Sequence, residues 1–451
     1  MVSENARGND WRSLALESAM EAIIDYRGKS PRKTTSGIPL ITAKIVKGGR
    51  ILPPDEFIDP EDYDEWMRRG MPKAGDVVIT TEAPLGEVAQ LDESKVALAQ
   101  RLIALRGKIG TLDNTFLKFM LQSKGVQDEM KSRSTGTTVS GIRQSELRLV
   151  QLPIPPIDEQ MQIAHILGSL DDKIELNRKM NETLEAMARA LFQSWFVDFD
   201  PVRAKAAVRC EHPRWTDAEV CRAALPTLAA EIAALFPDSF EDSELGEIPK
   251  GWRAGSLSDV ALLNPESWPR TTKPEVIRYI DLANTKWGRI EAITVYSKED
   301  APSRAQRILR CGDTIVGTVR PWNGSYALIA EDGLTGSTGF AVLRPRQSEH
   351  REFIYLAATA QDNIESLAHL ADGGAYPAVR PEAVIAKQIV TPPDAVLANF
   401  AKLTEPLISR FTQGERESNT LAALRDTLLP KLISGELRLS REGSVMSEAK
   451  H

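Results

Sequence analysis

The chain has 451 residues, 42% of them hydrophobic and 26% charged, with a formal net charge of −7. That length exceeds one ordinary core and favours two or more globular units. No run of about 18 apolar residues is available to cross a membrane, and the N-terminus MVSENARGNDW lacks the charged-then-apolar pattern of a secretory signal.

Three cysteines, Cys210, Cys221 and Cys311, are too few for a disulfide framework and point to a reducing cytoplasm. The acidic total is awkward for a nucleic-acid binder, but it is partly segregated. Residues 197–250 hold 6 Lys/Arg against 11 Asp/Glu, whereas residues 101–150 hold 9 against 4. Binding follows the local field rather than the sum.

In chain order, residues 1–156 read as a globular domain with β-rich stretches IPLITAKI (38–45), DVVITTEA (76–83) and LAQRLIAL (98–105), and a short helix in LDNTFLKFMLQSK (112–124). Pro155-Pro156 closes it, because the residue before a proline is pushed out of helical geometry. Proline in a first turn, followed by Asp158-Glu159 at the positive end of the dipole, then launches a long helix over 157–196. Ile163, Leu170, Leu184 and Leu191 share one heptad position of a coiled-coil seam, and Ile166, Met180 and Met187 share the other. Asn177 falls on the first position, where a buried amide can fix register, and Lys173 interrupts the second.

Residues 197–250 form an acidic connector: VDFDPVRAKA reads as irregular, TDAEVCRAALPTLAAEIAALF as one or two short helices, and PDSFEDSELGEIPKGW as a linker. A second domain over 251–393 repeats the first pattern with VIRYIDLA (276–283), DTIVGTV (313–319), GFAVLRP (339–345) and helical EFIYLAATAQ (352–361). Pro392-Pro393 launches a second long helix over 394–439, with seam residues Phe400, Leu403, Leu407, Leu421, Leu424 and Leu428, before a tail over 440–451.

The two double prolines lie 237 residues apart (155 to 392), and the offset persists. Ala74-Gly75-Asp76 matches Cys311-Gly312-Asp313, Ile142-Arg143 matches Val379-Arg380, and Leu170, Leu184 and Leu191 match Leu407, Leu421 and Leu428. With a two-residue slip, IPLITAKIVKGGRI (38–51) matches IRYIDLANTKWGRI (277–290). A register this long is a tandem duplication. The expected fold class is α+β: two duplicated α/β recognition domains separated by two long antiparallel coiled-coil helices with pseudo-two-fold symmetry. Duplex DNA has matching symmetry. Gly414 stands where the first copy has Asn177, which leaves the continuity of the second helix open.

The segment TGTTVSGIRQSELRLVQLPIPPIDEQMQIAHILGSLDDKIELNRKMNETLEAMARALFQSWFVDF (135–199), with LFPDSFEDSELGEIPKGW (235–252) and LRDTLLPKLISGELRL (424–439), resembles the specificity subunits of Type I restriction-modification enzymes. The resemblance is strong in the central third and at the C-terminus. It implies two target-recognition domains reading a split double-stranded DNA site whose gap the coiled coil sets. Docking of two adenine-methyltransferase subunits and of motor-nuclease restriction subunits is also implied. S-adenosylmethionine, ATP and Mg²⁺ would then belong to those partners.

Phosphate contacts come from cations and hydroxyls, and base discrimination from side chains that reach base edges. Three sets qualify. Lys44, Lys47 and Arg50, echoed by Lys286 and Arg289, sit on a strand and its turn; an ordinary solvated face is the competing reading. Thr137, Ser140 and Arg143 in TGTTVSGIR, with Tyr376 and Arg380 in the matching DGGAYPAVR, occupy a glycine-flexed loop. Arg320, Trp322 and Asn323 in TVRPWNGSY form a third loop, matched by the blander TEAPLGE; a tryptophan packed beside a turn competes there.

No Asn-Pro-Pro-aromatic motif, no S-adenosylmethionine glycine loop and no GxxxxGK[ST] cradle occurs in the sequence. The spacing of Cys210, His212 and Cys221 matches no standard zinc site. The expectation is a non-catalytic, cytoplasmic DNA-recognition subunit with no metal or cofactor of its own. A coiled-coil assembly scaffold that never touches DNA is the alternative from another class, and a self-sufficient DNA enzyme a third.

Overall fold

The computed structural model describes residues 11–26, 30–92, 95–136, 140–269, 272–372, 374, 377–439 and 445–446. The chain divides into two compact units, one of residues 1–175 with 420–451 and the other of residues 176–419.

The duplication is visible element by element. The helix Asn114–Gln122 is repeated as Arg351–Ala358, Lys124–Ser132 as Gln361–Leu370, and Gln144–Arg148 as Pro381–Ile385, each pair starting 237 residues apart (114 to 351, 124 to 361, 144 to 381). The strand Gln151–Ile154 is repeated as Gln388–Thr391, and the long helix Ile157–Phe196 as Asp394–Ile433, both of 40 residues. These strands pair antiparallel with Arg12–Ala15 and Arg253–Ser256 respectively, so each double proline is the corner between a strand and a long helix.

In the first unit an antiparallel sheet runs in the order Met20–Asp25, Leu102–Gly107, Val77–Thr81, Leu85–Gln90. Its alternating side chains serve two cores. Val77, Ile79, Ile103 and Leu105 face one that contains Phe116, Leu117 and Met120, together with Ile163 and Leu167 of the first long helix and Leu432 and Ile433 of the second. Val78, Leu102 and Ala104 face the other, beneath a smaller sheet in which Ala97–Leu98 runs parallel to Ile38–Ile41. The second unit repeats this with the order Ala261–Leu263, Phe340–Pro345, Thr314–Gly317, Tyr326–Leu328, and with Leu334–Ser337 parallel to Val276–Ile280.

A matched ion pair locks each main sheet. Arg106 grips Asp76 with Nε–Oδ1 and Nη2–Oδ2 both at 2.7 Å, and Arg344 grips Asp313 the same way at 2.8 Å. Both carboxylates are buried and also accept a backbone N–H, from Lys73 and from Arg310, each at 2.8 Å. The fork of a guanidinium fits two carboxylate oxygens at once. The Gly-Asp matches that marked the repeat are therefore its two core clasps.

Within each unit the long helices cross antiparallel. In the first, Asp171 pairs with Arg425 at 2.9 Å while Ile163 and Leu167 share a core with Leu432. In the second, Asn177 Nδ2 donates to Glu417 at 3.0 Å, Asn181 Nδ2 to Glu415 at 2.7 Å, and Phe196 stacks edge-on against Phe400 with centroids 4.8 Å apart.

The seam corrects the heptad reading on one flank. Ile163, Asn177 and Phe400 are buried, and Leu170, Leu184, Leu191, Leu407, Leu421 and Leu428 are half-buried. On the expected second row, however, Met187, Leu403 and Leu424 are exposed, while Ile166 and Met180 are only half-buried. The better-buried second row lies four residues after the first rather than three: Leu167, Asn181, Ala188 and Trp195 are buried with Ile174 half-buried, and in the repeat Thr404, Phe411 and Leu432 are buried with Ser418 and Arg425 half-buried. Small and polar members hid that row, and the large Met and Leu side chains beside it marked the solvent edge. Lys173 interrupts nothing, because it lies off the stripe.

The second helix runs unbroken through Gly414. A Cβ there would stand 2.5 Å from Asn181 Oδ1, so the glycine admits a close approach. The connector is also more ordered than expected. VDFDPVRAKA enters a helix, Asp200–Glu211, whose first turn is set by Asp200 and Pro201, and a Thr216–Glu219 capping box starts Asp217–Ala224. The stretch read as a linker folds into the hairpin Phe240–Ser243/Gly246–Pro249, and Phe236, Ile248 and Trp252 are buried. The aromatic residues outweighed the acidic composition.

Candidate nucleic-acid interface

The Lys-x-Gly-Arg stretches form matched two-residue hairpins, Val46–Lys47/Arg50–Ile51 and Thr285–Lys286/Arg289–Ile290. Their central pairs, Gly48-Gly49 and Trp287-Gly288, all have positive φ, at 59° and 83° and at 47° and 83°. This is the left-handed pair that a tight hairpin of native twist requires. Each arginine is turned onto a long helix: Arg50 lies 3.4 Å from Glu175, and Arg289 lies 3.4 Å from Glu415 and 3.9 Å from Glu182. Lys44 is bound to Asp55, whose carboxylate raises the ammonium pKa. Lys286 reaches Ser325 Oγ at 3.4 Å, and Lys47 is exposed. Carboxylates thus engage three of the five cations singled out in the sequence.

The glycine-flexed loops fold onto the ends of the central strands in the same way twice. Gly141 bridges to Glu82 and Thr135, and Ala378 bridges to Val319 and Asp372, with Ile142 N and Val379 N donating to Thr81 O and Thr318 O at 2.9 Å. Thr137 and Tyr376 lie outside the described residues. Ser140 Oγ lies 2.7 Å from Ser134 Oγ, and Arg143 and Arg380, each exposed, immediately precede a short helix.

Arg320, in the third loop, has φ 47°, as Ala83 has φ 51° at the equivalent place. Arg320 N donates to Pro377 O at 2.8 Å, joining this loop to the glycine-flexed one, and Gly324 O accepts from Trp287 N at 2.6 Å, joining it to the hairpin. In the second unit, therefore, all three candidate segments meet, with Arg320, Trp322, Asn323 and Arg380 exposed.

Sequence reasoning missed Trp287, which is 48% exposed at the hairpin tip. The available signal was a tryptophan where the first copy has glycine, in a turn that needs positive φ. The first unit is blander here: Gly48 N donates to Glu87 at 2.8 Å, so an acid occupies the place of Gly324. Among the described residues, no three His, Cys, Asp or Glu side chains gather as metal ligands, and no helix is long and apolar enough to cross a membrane.

A family model described as the Type I restriction modification DNA specificity domain matches residues 37–186. The chain is 25% identical over 394 residues to the Type I restriction enzyme MjaIX specificity subunit of Methanocaldococcus jannaschii, covering 83% of this chain and 80% of that one. It is 27% identical over 367 residues to the Type I restriction enzyme HindI specificity subunit of Haemophilus influenzae, covering 71% and 77%. The crystal structure of the Type-I restriction-modification system S subunit from M. genitalium shares the fold, with a TM-score of 0.54 at 15% identity over 96% of this chain and 97% of that one.

Proposed function

We propose that the chain, which is similar to the specificity subunits of Type I restriction-modification systems, is the DNA-reading, non-catalytic component of such a system. Each duplicated domain reads one part of a split target. The carrying observation is the repeated loop junction, in which Gly141 with Glu82 and Ala378 with Val319 present Arg143 and Arg380 at matched exposed positions. Cations repeated at one register are suited to phosphates of a ligand that is itself two-fold related.

In this reading the gap between the two half-sites is set by the long helices, each about 60 Å at 1.5 Å per residue. Methyltransferase and restriction subunits supply the chemistry, and S-adenosylmethionine, ATP and Mg²⁺ bind to them in the cytoplasm.

The test is selection from a randomised duplex pool with a methyltransferase partner present. Enrichment of a two-part motif is the expected result; its absence leaves the assembly scaffold. Incubating the lone protein with DNA, methyl donor, ATP and Mg²⁺ checks the non-catalytic assignment, and any turnover overturns it.

A further inference from the structure

We propose that Trp287 is a DNA-contacting residue of the second domain, its indole packing against bases of the half-site that this domain reads. The inference rests on the DNA-reading function proposed above and adds to it a side chain that the first domain replaces with Gly48 at the matching hairpin position.

The backbone is the first observation. Trp287 has φ 47°, a conformation that bulky residues rarely adopt, whereas the first copy places Gly48, with φ 59°, at the same point of the same hairpin. A strained residue persists only where its surroundings over-determine it, and such residues cluster at ligand contacts.

The surroundings are built for it. Gly324 leaves room for the indole, since a Cβ there would stand 2.5 Å from Trp287 Cδ2. Tyr326 meets the indole edge-on, with centroids 6.0 Å apart at 86°. Beneath the hairpin, a Cβ on Gly288 would stand 2.7 Å from the hydroxyl of buried Tyr355. Arg189 of the first long helix braces this floor, reaching Glu185 at 2.7 Å, Thr359 O at 3.2 Å and the Tyr326 hydroxyl at 3.4 Å. One side of the indole is therefore fixed by the protein while the ring stays half in solvent.

The neighbourhood selects the ligand. Trp322, 46% exposed, sits on the turn that ends at Gly324, and Arg320, Lys286 and Arg380 lie on the three segments that meet here. An exposed indole among cations suits a duplex whose groove presents apolar base edges, such as a thymine methyl, between its phosphates.

The experiment uses the complex with its methyltransferase partner on the split motif enriched from the pool. Trp287→Gly restores the first copy's turn and relieves the backbone, so the indole is removed without a penalty at φ; a thermal melt confirms the fold. Duplexes carry 5-iodouracil or 5-iodocytosine at each pyrimidine of the two half-sites in turn. The expected result is a photocrosslink to Trp287 from one half-site only. Affinity should fall about tenfold in Trp287→Gly, the scale of one lost base contact in a duplex site, and largely recover in Trp287→Phe.

Unchanged affinity with crosslinks confined to other residues overturns the inference and leaves the DNA-reading function standing. Loss of methyltransferase association with intact DNA affinity overturns it too, assigning the indole to a protein contact. A wild-type complex that selects no split motif brings down both.

Discussion

Gly414→Ala tests whether close helix approach at the polar centre of the second unit is a packing requirement. In an isolated helix alanine is more stable than glycine by about 1 kcal/mol. Here the added methyl would lie 2.5 Å from Asn181 Oδ1 and 3.1 Å from Nδ2, and Asn181 is buried and tied to Glu415 at 2.7 Å. Overpacking costs about 1–3 kcal/mol, and displacing the amide forfeits a hydrogen bond worth about 1 kcal/mol. The net expectation is a loss of about 1–3 kcal/mol. In an Asn181→Ala background the space is vacant, and the same substitution should stabilise by about 1 kcal/mol. Urea unfolding of the four proteins, followed by circular dichroism, measures this reversal as a coupling energy. A Gly414→Ala midpoint that rises in the presence of Asn181 would refute the close-approach argument.

Asp313→Asn removes the charge that Arg344 grips in the second sheet, and breaking one partner of such a buried pair costs about 3 kcal/mol or more; limited proteolysis should show the second unit opening, whereas Asp76→Asn opens the first. Arg310 and Arg344 hold the Glu266 carboxyl at about 2, below its ordinary 4.5. A depressed folded pKa means that its stabilisation is complete above about pH 4.5 and is lost as pH falls toward 2, so the melting-temperature slope across that window should flatten in Glu266→Gln. On the first long helix, exposed Met187→Lys should change stability by no more than about 0.5 kcal/mol, and buried Ala188→Lys should cost about 3 kcal/mol. A larger cost at Met187 than at Ala188 would restore the heptad row of Ile166, Met180 and Met187. Arg380→Ala should weaken DNA binding at every sequence and lower the salt slope by about one, whereas Arg289→Ala, already engaged by Glu415 and Glu182, should leave the slope unchanged.

The repeat, the paired double prolines and the long helices were legible because each is periodic or local in sequence. The seam's second flank was not, since Ala188, Asn181 and Thr404 carry no apolar signal and are buried only by the neighbouring helix. The connector misled for the opposite reason: its charges are on the surface, and Phe236 and Trp252, which decide its fold, are sparse. At the interface, a lysine or arginine in sequence does not reveal the carboxylate it will meet. Arg50 finds Glu175, which is 125 residues away in the chain, so only the tertiary fold separates it from Arg143.

The first unit's core draws on both extremes of the described sequence, joining Leu167 to Leu432. A ribosome delivers these partners far apart in time, with the whole second copy made in between. The earlier-made domain must therefore wait with an apolar flank uncovered, while the later one holds all of its parts as soon as its own helix emerges. The first domain's core should be completed only after the second copy has been made, with part of its apolar surface exposed in the interval.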